Sequence, residues 1–275
     1  MKIKYLGTAA SECWPALFCK CTACEAARKL GGKNIRSRSQ SIVDGKLLID
    51  MPADSYYHSL KFEVDFSAIE HILITHSHED HFNFMDFLLK AEPYAFNGKA
   101  LQIKVYGNKT VCQILYDAIQ KYGPQYAEKF IKPVEASAFQ SFEAGGYLIT
   151  PLPADHTKGE DCFMYIIEKD SKALLYAHDT GEFPKSAMEY IRSKHFDAVS
   201  LDCTFLLKDN SEGHMGLPNN IKIKNKMLEY GCADKNTKFI INHFSHNGEV
   251  LHDELEQIAS KEGFLTAYDG FDLDF

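Results

Sequence analysis

Residues 76–81, with the sequence His-Ser-His-Glu-Asp-His, constrain this chain more than any other segment. They follow an apolar run at residues 72–75 that is typical of a β-strand. Imidazole nitrogens suit zinc, manganese or iron, and a carboxylate suits the harder of these cations. Because a loop can turn alternate side chains toward different points, this one segment can supply ligands to two adjacent cations. The pattern predicts a two-metal centre at a strand end.

The rest of the chain alternates short strands with amphipathic helices. Apolar or β-branched runs bounded by turn residues predict strands at residues 3–6, 41–43, 47–49, 72–75, 103–106, 147–150, 163–167, 173–176, 198–201 and 239–242. Helical periodicity predicts helices at residues 110–122, 184–193, 218–230 and 251–261. No Pro/Gly/Ser-rich linker or fixed repeat divides the chain, so we predict one mixed α/β domain over residues 1–275.

Three further candidate ligands follow other predicted strands. His156 comes after the run at 147–150, Asp179 after the run at 173–176, and His243 directly after the run at 239–242. Loops at strand ends present side chains from a rigid sheet. We therefore expect these side chains and residues 76–81 to lie along one rim of the fold.

This order of residues resembles the metallo-β-lactamase superfamily, whose pattern is an Asp after an early strand, HxHxDH, a later His, a later Asp and a final His. The resemblance implies an αββα sandwich, in which two facing mixed β-sheets are flanked by helices and the metals lie at the sheet edge. It also implies the ligand roles. One metal would be held by His76, His78 and His156, the other by Asp80, His81 and His243, with Asp179 as the bridge and Asp50 as an orienter behind the ligands.

A second cluster, Cys19, Cys21 and Cys24, has the spacing CxCxxC. Three thiolates this close can share one ion if a fourth ligand comes from elsewhere, and tetrahedral zinc takes sulfur and nitrogen ligands. A redox CxxC is the rival, which is disfavoured because we do not expect the segment to open a helix after a strand. We predict His246 as the fourth ligand and a closed structural zinc site in a loop at about residues 13–32.

With this cluster the sequence resembles the PhnP-like phosphodiesterase branch of the superfamily. The shared features are GTAA at 7–10, RSRS at 36–39, DTG at 179–181, LDCTF at 201–205, GHMG at 213–216 and HFSH at 243–246. The resemblance implies hydrolysis of a small phosphate ester, such as a cyclic ribose or nucleotide phosphate, by a hydroxide shared between two manganese, zinc or iron ions. An oxidoreductase of the PqqB branch, which shares the cysteine-rich loop, is the alternative, and a nonenzymatic metal-stabilised binding protein is a third hypothesis.

His214 is the candidate proton donor to the leaving alkoxide. Flanking glycines let the backbone place its ring at a pocket mouth, and an unperturbed imidazole has a pKa near ~6.5. The resemblance places a catalytic histidine at this position, and Asp80 is assigned to the catalytic group as well as to the second metal. Arg36 and Arg38 could meet anionic groups of the substrate, because guanidinium forks match phosphate, with a solvated basic loop as the alternative.

Net charge and composition limit the classes of molecule that this chain is expected to bind. The formal net charge of -8 and a pI near 5.8 argue against extended nucleic-acid binding, which needs clustered Lys and Arg. The N-terminal segment at residues 1–7 is too short and too polar for a signal peptide, and no later apolar run is long enough to span a bilayer. We therefore expect a cytoplasmic protein. We expect a small phosphate ester as the partner and no membrane contact; the sequence leaves a homodimer open.

Overall fold

The computed structural model describes residues 1–96, 101–125 and 127–275. Within these residues the chain forms two seven-stranded sheets and seven α-helices. The strands are β1 Lys2–Gly7, β2 Gln40–Val43, β3 Leu47–Ile49, β4 His71–Leu73, β5 Ile103–Gly107, β6 Ile131–Glu135, β7 Phe142–Ala144, β8 Tyr147–Pro153, β9 Phe163–Lys169, β10 Lys172–Ala177, β11 Ala198–Asp202, β12 Lys238–Asn242, β13 Phe264–Thr266 and β14 Phe271–Asp274. The helices are α1 Thr22–Leu30, α2 Ser55–Lys61, α3 Phe84–Phe87, α4 Lys109–Tyr122, α5 Lys185–Ile191, α6 Leu217–Glu229 and α7 His252–Lys261.

The two sheets have matching topologies. The first has the order β14-β1-β2-β3-β4-β5-β6, antiparallel from β14 to β3 and parallel from β3 to β6. The second has the order β13-β12-β11-β10-β9-β8-β7, parallel from β13 to β10 and antiparallel from β10 to β7. Each sheet is therefore half parallel and half antiparallel, as the term mixed sheet requires.

Side chains that alternate along the strands build three packing layers. In β3, Leu47 and Ile49 pack between the two sheets, whereas Leu48 packs on the opposite face among residues of α3 and α4. In β10, Leu174 enters the layer between the sheets and Leu175 packs with residues of α1, α5, α6 and α7. Since successive strand side chains point to opposite faces, both sheets are covered on both sides. The predicted αββα sandwich is confirmed.

Helix α4 illustrates how the outer layer is attached. Val111, Leu115 and Ile119 recur at intervals of four residues and are all buried against the first sheet. Burial of each such side chain contributes about 1.5–3 kcal/mol. Asn108 caps the helix, because its side-chain oxygen accepts a hydrogen bond from Val111 N at 2.9 Å.

The structure adds elements that the sequence patterns did not predict. Each predicted strand and helix overlaps an observed one, but four strands, β6, β7, β13 and β14, and three helices, α1, α2 and α3, were not anticipated. Strands β6, β7, β13 and β14 lie at the sheet edges, where one neighbour is missing and the apolar pattern is weaker. Among the described residues, no helix is both long enough and apolar enough to cross a bilayer.

Several strands end at the same rim of the sandwich, and the chain turns sharply there. Asp50 follows β3, Asp179 lies just after β10, and His243 follows β12. All three have a positive φ, of 63°, 49° and 62°. A left-handed backbone is uncommon outside glycine, and such strain persists where the surrounding structure enforces it, often at functional sites.

Candidate metal centre

Seven side chains from this rim form two adjacent groups of potential ligands. The first group contains His76, His78 and His156, and the second contains Asp80, His81, Asp179 and His243. Within each group the ligand atoms all lie within 4.8 Å of one another. The structure therefore brings together the residues that the resemblance to the superfamily assigned to each metal.

Asp179 lies between the two groups. Its Oδ2 is 2.6 Å from His81 Nε2 in the second group and 3.4 Å from His76 Nε2 in the first. Its Oδ1 is 3.0 Å from His243 Nδ1. The carboxylate is in the position that a ligand shared by two cations would need.

The imidazoles of the centre are oriented from behind by polar partners. Asp50 is fully buried, and its Oδ2 accepts a hydrogen bond from His81 Nδ1 at 2.7 Å. His156 Nδ1 lies 3.0 Å from Gly213 O and donates to it. In both rings the proton on Nδ1 leaves the lone pair on Nε2 facing the ligand group. Asp50 thus contacts a ligand in the way that its expected role requires.

Buried atoms of the ligand groups lack hydrogen-bond partners. Within the described residues these include His76 Nε2, His81 Nε2, Asp179 Oδ1 and His243 Nε2. An unsatisfied buried polar atom costs about 1–3 kcal/mol, so clusters of them are rare in native proteins. His81 Nε2 lies only 2.6 Å from Asp179 Oδ2, as two ligand atoms of one cation would.

Electrostatics at the centre also favour positive charge. Burial alone lowers the pKa of His81, but the carboxylates of Asp179, Asp80 and Asp50 outweigh it and raise the pKa well above its ordinary value. The unpaired atoms, the histidine-rich donor set and this concentration of carboxylates fit two divalent cations of the zinc, manganese or iron type.

His214 lies beside the second ligand group and is held there by an aspartate that sequence reasoning missed. His214 Nδ1 is 3.1 Å from Asp202 Oδ2 and 3.3 Å from Asp179 Oδ1. Burial lowers the pKa of His214, but Asp202 and Asp179 more than offset this and raise it to about 11. Asp202 is the last residue of β11, and Asp179 comes shortly after the end of β10. This shared position at a strand end is the sequence signal from which Asp202 could have been predicted.

Asp202 and Thr204 connect His214 to the ligand groups. Asp202 Oδ1 accepts hydrogen bonds from Thr204 N at 3.0 Å and Met215 N at 2.9 Å. Thr204 Oγ1 lies 2.8 Å from His243 Nδ1. A shift of Asp202 would therefore move both the candidate proton donor and a candidate ligand.

A pocket of about 290 Å³ opens over this centre. Its lining combines residues of both ligand groups, His214 and several residues to which the sequence analysis gave no role. The full set is Ala10, Ser11, Glu12, His78, Asp80, His156, Asp179, Thr204, Phe205, His214, His243, Ser245 and Asn247. An adjoining pocket shares Ser11, His78 and Asp80 and is also lined by Arg38. A substrate can reach the ligand groups through this opening.

The two arginines have different surroundings. Arg38 donates from Nη1 to Asp54 Oδ2 at 2.9 Å and lines the adjoining pocket, so it stays a candidate for substrate contact. The expectation for Arg36 was wrong. Arg36 is 3% exposed. Its guanidinium donates to Thr8 Oγ1 and Ala267 O and packs over Phe244, so it is bonded inside the fold.

The cysteine cluster lies where zinc coordination would require it. Ligand atoms of Cys19, Cys21, Cys24 and His246 all lie within 4.8 Å of one another, and these cysteines are free thiols. His246 Nδ1 is 3.5 Å from Cys21 Sγ and 3.8 Å from Cys19 Sγ. Three sulfurs and one imidazole nitrogen match the donor set of a closed structural zinc site.

One part of the premise of the cysteine prediction was wrong, the part that concerns the helix. The segment does open a helix, because Cys21 caps α1 and its sulfur accepts a hydrogen bond from Cys24 N. This bond is the largest cause that lowers the pKa of Cys21 to about 6. The preceding strand, β1, ends far upstream at Gly7, so the arrangement still differs from a redox motif that directly follows a strand. A thiolate at neutral pH suits a metal ligand.

We expect Cys24→Ser to lower the zinc content by one ion per chain and the unfolding temperature by about 5–10 °C, because several kcal/mol of binding free energy would be lost. Metal analysis and thermal denaturation measure the two effects. Cys112→Ser is the matched control, since Cys112 lies on α4 outside the cluster. Unchanged zinc content in Cys24→Ser would rule out this site.

Comparisons with known proteins agree with the fold. The family model described as beta-lactamase superfamily domain matches residues 49–231. Ribonuclease Z from Listeria monocytogenes serotype 4b is 27% identical over 150 residues, 53% of this chain and 47% of the relative. Ribonuclease Z from Listeria innocua serovar 6a is 26% identical over 151 residues, with the same coverage. The match thus spans about half the length of these curated relatives.

Solved structures extend the similarity over the whole chain. A diphosphatase from the PhnP family has a TM-score of 0.76 at 23% identity and covers 100% of this chain and 98% of its own. Zinc-bound PqqB from Methylobacterium extorquens has a TM-score of 0.72 at 16% identity, with both chains covered completely. The short form of human tRNase Z has a TM-score of 0.66 at 14% identity, covering 100% and 99%. At these identities the similarity shows a shared fold.

Proposed function

The chain belongs to the beta-lactamase superfamily, and from this premise we propose that it is a metal-dependent phosphodiesterase acting on a small phosphate ester. The proposal rests on one observation above all. His214, paired with Asp202, lies against the same Asp179 carboxylate that joins the two ligand groups. A proton donor beside a two-cation centre is the arrangement that cleavage of a phosphodiester needs.

The ligand groups would hold two divalent cations, which we propose to be manganese, zinc or iron. When bound, such cations neutralise charge on phosphate oxygens and lower the pKa of water. His76, His78 and His156 would hold one, and Asp80, His81 and His243 the other, with Asp179 shared. Asp80 contributes to the reaction through this ligand role, and the four residues of the cysteine cluster would hold a third, structural zinc.

His214 performs the proton transfer in this proposal. Its Nδ1 faces Asp202 and Asp179, so Nε2 is the ring nitrogen left to donate a proton to the leaving oxygen of a substrate in the pocket. Asp202 stabilises the protonated ring and fixes its orientation. Asp202 and Asp179 outweigh the effect of burial and raise the pKa of His214, which favours the protonated ring at neutral pH.

The named relatives support phosphate chemistry. The curated relatives are ribonucleases, and one of the similar structures is a diphosphatase, so both names describe cleavage at phosphorus. The pocket of about 290 Å³ suits a small ester, such as a cyclic ribose or nucleotide phosphate. We further propose that residues 1–275 form one domain, since side chains from both sheets share the central core layer.

Purified protein loaded with manganese or zinc should hydrolyse bis(p-nitrophenyl) phosphate and 2′,3′-cyclic nucleotides. The assay is release of p-nitrophenol and of nucleoside monophosphate, with the EDTA-treated protein as the control. Activity should disappear with EDTA and return when the cation is added back. Absence of turnover in a sample that metal analysis shows to be fully loaded would refute the proposed function.

An oxidoreductase similar to PqqB is the alternative, because the PqqB structure covers this chain completely with a TM-score of 0.72. The His214–Asp202 pair favours hydrolysis, since a proton donor to a leaving alkoxide serves ester cleavage directly. Obligate iron in anaerobically purified protein, together with substrate-dependent oxygen consumption, would favour the alternative.

A further inference from the structure

Glu12 reaches the pocket from the loop at residues 8–13, which connects β1 to the cysteine cluster. We propose that Glu12 is a specificity residue that accepts a hydrogen bond from a hydroxyl group on the non-reacting part of the phosphodiester, and so selects sugar-bearing esters. This inference rests on the proposed phosphodiesterase function and assigns a residue that selects among its substrates.

Glu12 is distinguished from the other acidic residues of the pocket by its surroundings. Asp80 and Asp179 also line the pocket, but both belong to the second ligand group. Glu12 belongs to neither group, and its side chain is 30% exposed. Its carboxylate is therefore accessible to substrate without being committed to a cation of the active centre.

The position of Glu12 is tightly held. Its Oε1 accepts a hydrogen bond from Ser245 Oγ, and Ser245 is two residues beyond His243. The loop itself is bonded to the same segment, because Ala10 N donates to Phe244 O at 3.0 Å. A group held in place by its neighbours loses little conformational entropy when it binds a ligand.

One oxygen of Glu12 retains hydrogen-bonding capacity. Oε1 is used by Ser245, whereas the hydrogen bond to Oε2 comes from Ser11 Oγ at a long 3.5 Å. An ionised carboxylate has about four lone-pair sites and only accepts, so its partner must be a donor. Substrate hydroxyl groups are such donors, and a second phosphate is not.

The remainder of the pocket suits a sugar. Of the described residues that line it, none is lysine or arginine, and Glu12 is the acidic side chain there that lies outside the ligand groups. In the same lining, Phe205 supplies an apolar ring, and Ser11 and Asn247 supply polar groups. A hydroxyl-bearing ring with an apolar face matches this combination.

The test compares two p-nitrophenyl esters that differ by one hydroxyl group: thymidine 5′-(p-nitrophenyl phosphate) and its 3′-deoxy analogue. The wild-type protein should prefer the hydroxyl-bearing ester in kcat/KM by about 10-fold or more, the range expected of a hydrogen bond to a charged group. Glu12→Ala should reduce this preference to about 2-fold or less, and Glu12→Gln should give an intermediate value. Hydrolysis of bis(p-nitrophenyl) phosphate, which has no hydroxyl group, should change by less than about 3-fold.

Controls separate recognition from a structural role. Glu12 Oε1 also lies 3.8 Å from His246 Nε2, so Glu12 could act only by orienting a residue of the cysteine cluster. In that case zinc content would fall and all three esters would slow in parallel, which would overturn the inference. Glu25→Gln removes the same charge from α1 outside the pocket and should retain the wild-type preference.

The remaining outcomes are also decisive. Equal kcat/KM for the two thymidine esters in the wild-type protein would overturn the role of Glu12 while leaving the phosphodiesterase proposal intact. Failure of the loaded wild-type protein to hydrolyse any of the three esters would instead refute the proposed function. Titration calorimetry with thymidine 5′-monophosphate gives a readout without turnover, and its Kd should rise about 10-fold in Glu12→Ala.

Discussion

Replacing Asp179 with asparagine is expected to abolish hydrolysis and to deplete the active centre of divalent cations. The Asp179 carboxylate lies within 3.4 Å of both His76 and His81, so it serves both ligand groups. An amide retains the shape but loses the charge, and its N–H₂ end cannot bind a cation. Residues that only orient ligands already change metal affinity about 10–100-fold, so loss of a shared ligand should exceed about 100-fold. Metal analysis and turnover of bis(p-nitrophenyl) phosphate measure the result.

The same variant allows a test that does not depend on activity. Cations that bind only the folded wild-type protein should stabilise it by about 2.7 kcal/mol at a concentration of 100 times Kd. The resulting difference in unfolding temperature between cation-loaded and EDTA-treated protein should largely vanish in Asp179→Asn. Asp209→Asn removes an equal charge from a side chain that is 64% exposed, and should behave as wild type. Wild-type cation content in Asp179→Asn would show that the two groups do not share this ligand.

His214→Ala should slow the cleavage of esters with poor leaving groups by about 10²–10⁴-fold, the usual contribution of a general acid. p-Nitrophenyl esters should be much less affected, because p-nitrophenolate leaves without first receiving a proton. The pair of measurements is kcat/KM for a 2′,3′-cyclic nucleotide and for bis(p-nitrophenyl) phosphate. His195→Ala, at an exposed histidine outside the pocket, is the control. Equal slowing of both substrates would mean that His214 does not protonate the leaving group.

The pH profile gives a further view of the same residue. The carboxylates of Asp202 and Asp179 offset the effect of burial and raise the pKa of His214 to about 11. A group with a raised pKa keeps its proton to higher pH, so cleavage of the cyclic nucleotide should decline only above the pH range in which an ordinary imidazole loses its proton. In Asp202→Asn the loss of one carboxylate lowers the pKa of His214. The decline of kcat/KM for the cyclic nucleotide at alkaline pH should then begin about one pH unit or more lower than in the wild-type protein. If the alkaline decline stays at the same pH in Asp202→Asn, Asp202 has no part in proton transfer.

Much of the candidate centre could be predicted because its ligands follow strands in the sequence. His76, Asp179 and His243 each come shortly after an apolar run. His76 follows a strand of the first sheet and the other two follow strands of the second, so the two sheets carry these residues to a common rim. Which histidines belong to which group came from the resemblance to the superfamily. The distances agree with that grouping.

Other residues could not be assigned without tertiary structure. Arg36 and Arg38 are two positions apart in a polar segment, and nothing local shows that one is 3% exposed while the other lines a pocket. Asp202 is visible as a strand-end aspartate, but its pairing with His214 depends on how the intervening loop folds back. Glu12 reaches the pocket only because its loop bonds to the segment after β12.

The His76 to His81 segment, with its partners at later strand ends, thus indicates a two-metal centre by itself, whereas the αββα class followed from the superfamily that this order of residues resembles. This works because strand alternation and ligand chemistry are local properties of a sequence. The tertiary structure decided which polar side chains are buried and hydrogen-bonded inside the fold, as Arg36 is, and which face the pocket, as Glu12 does. Burial and pairing depend on contacts between residues far apart in the chain, such as Glu12 with Ser245, and no local pattern encodes them.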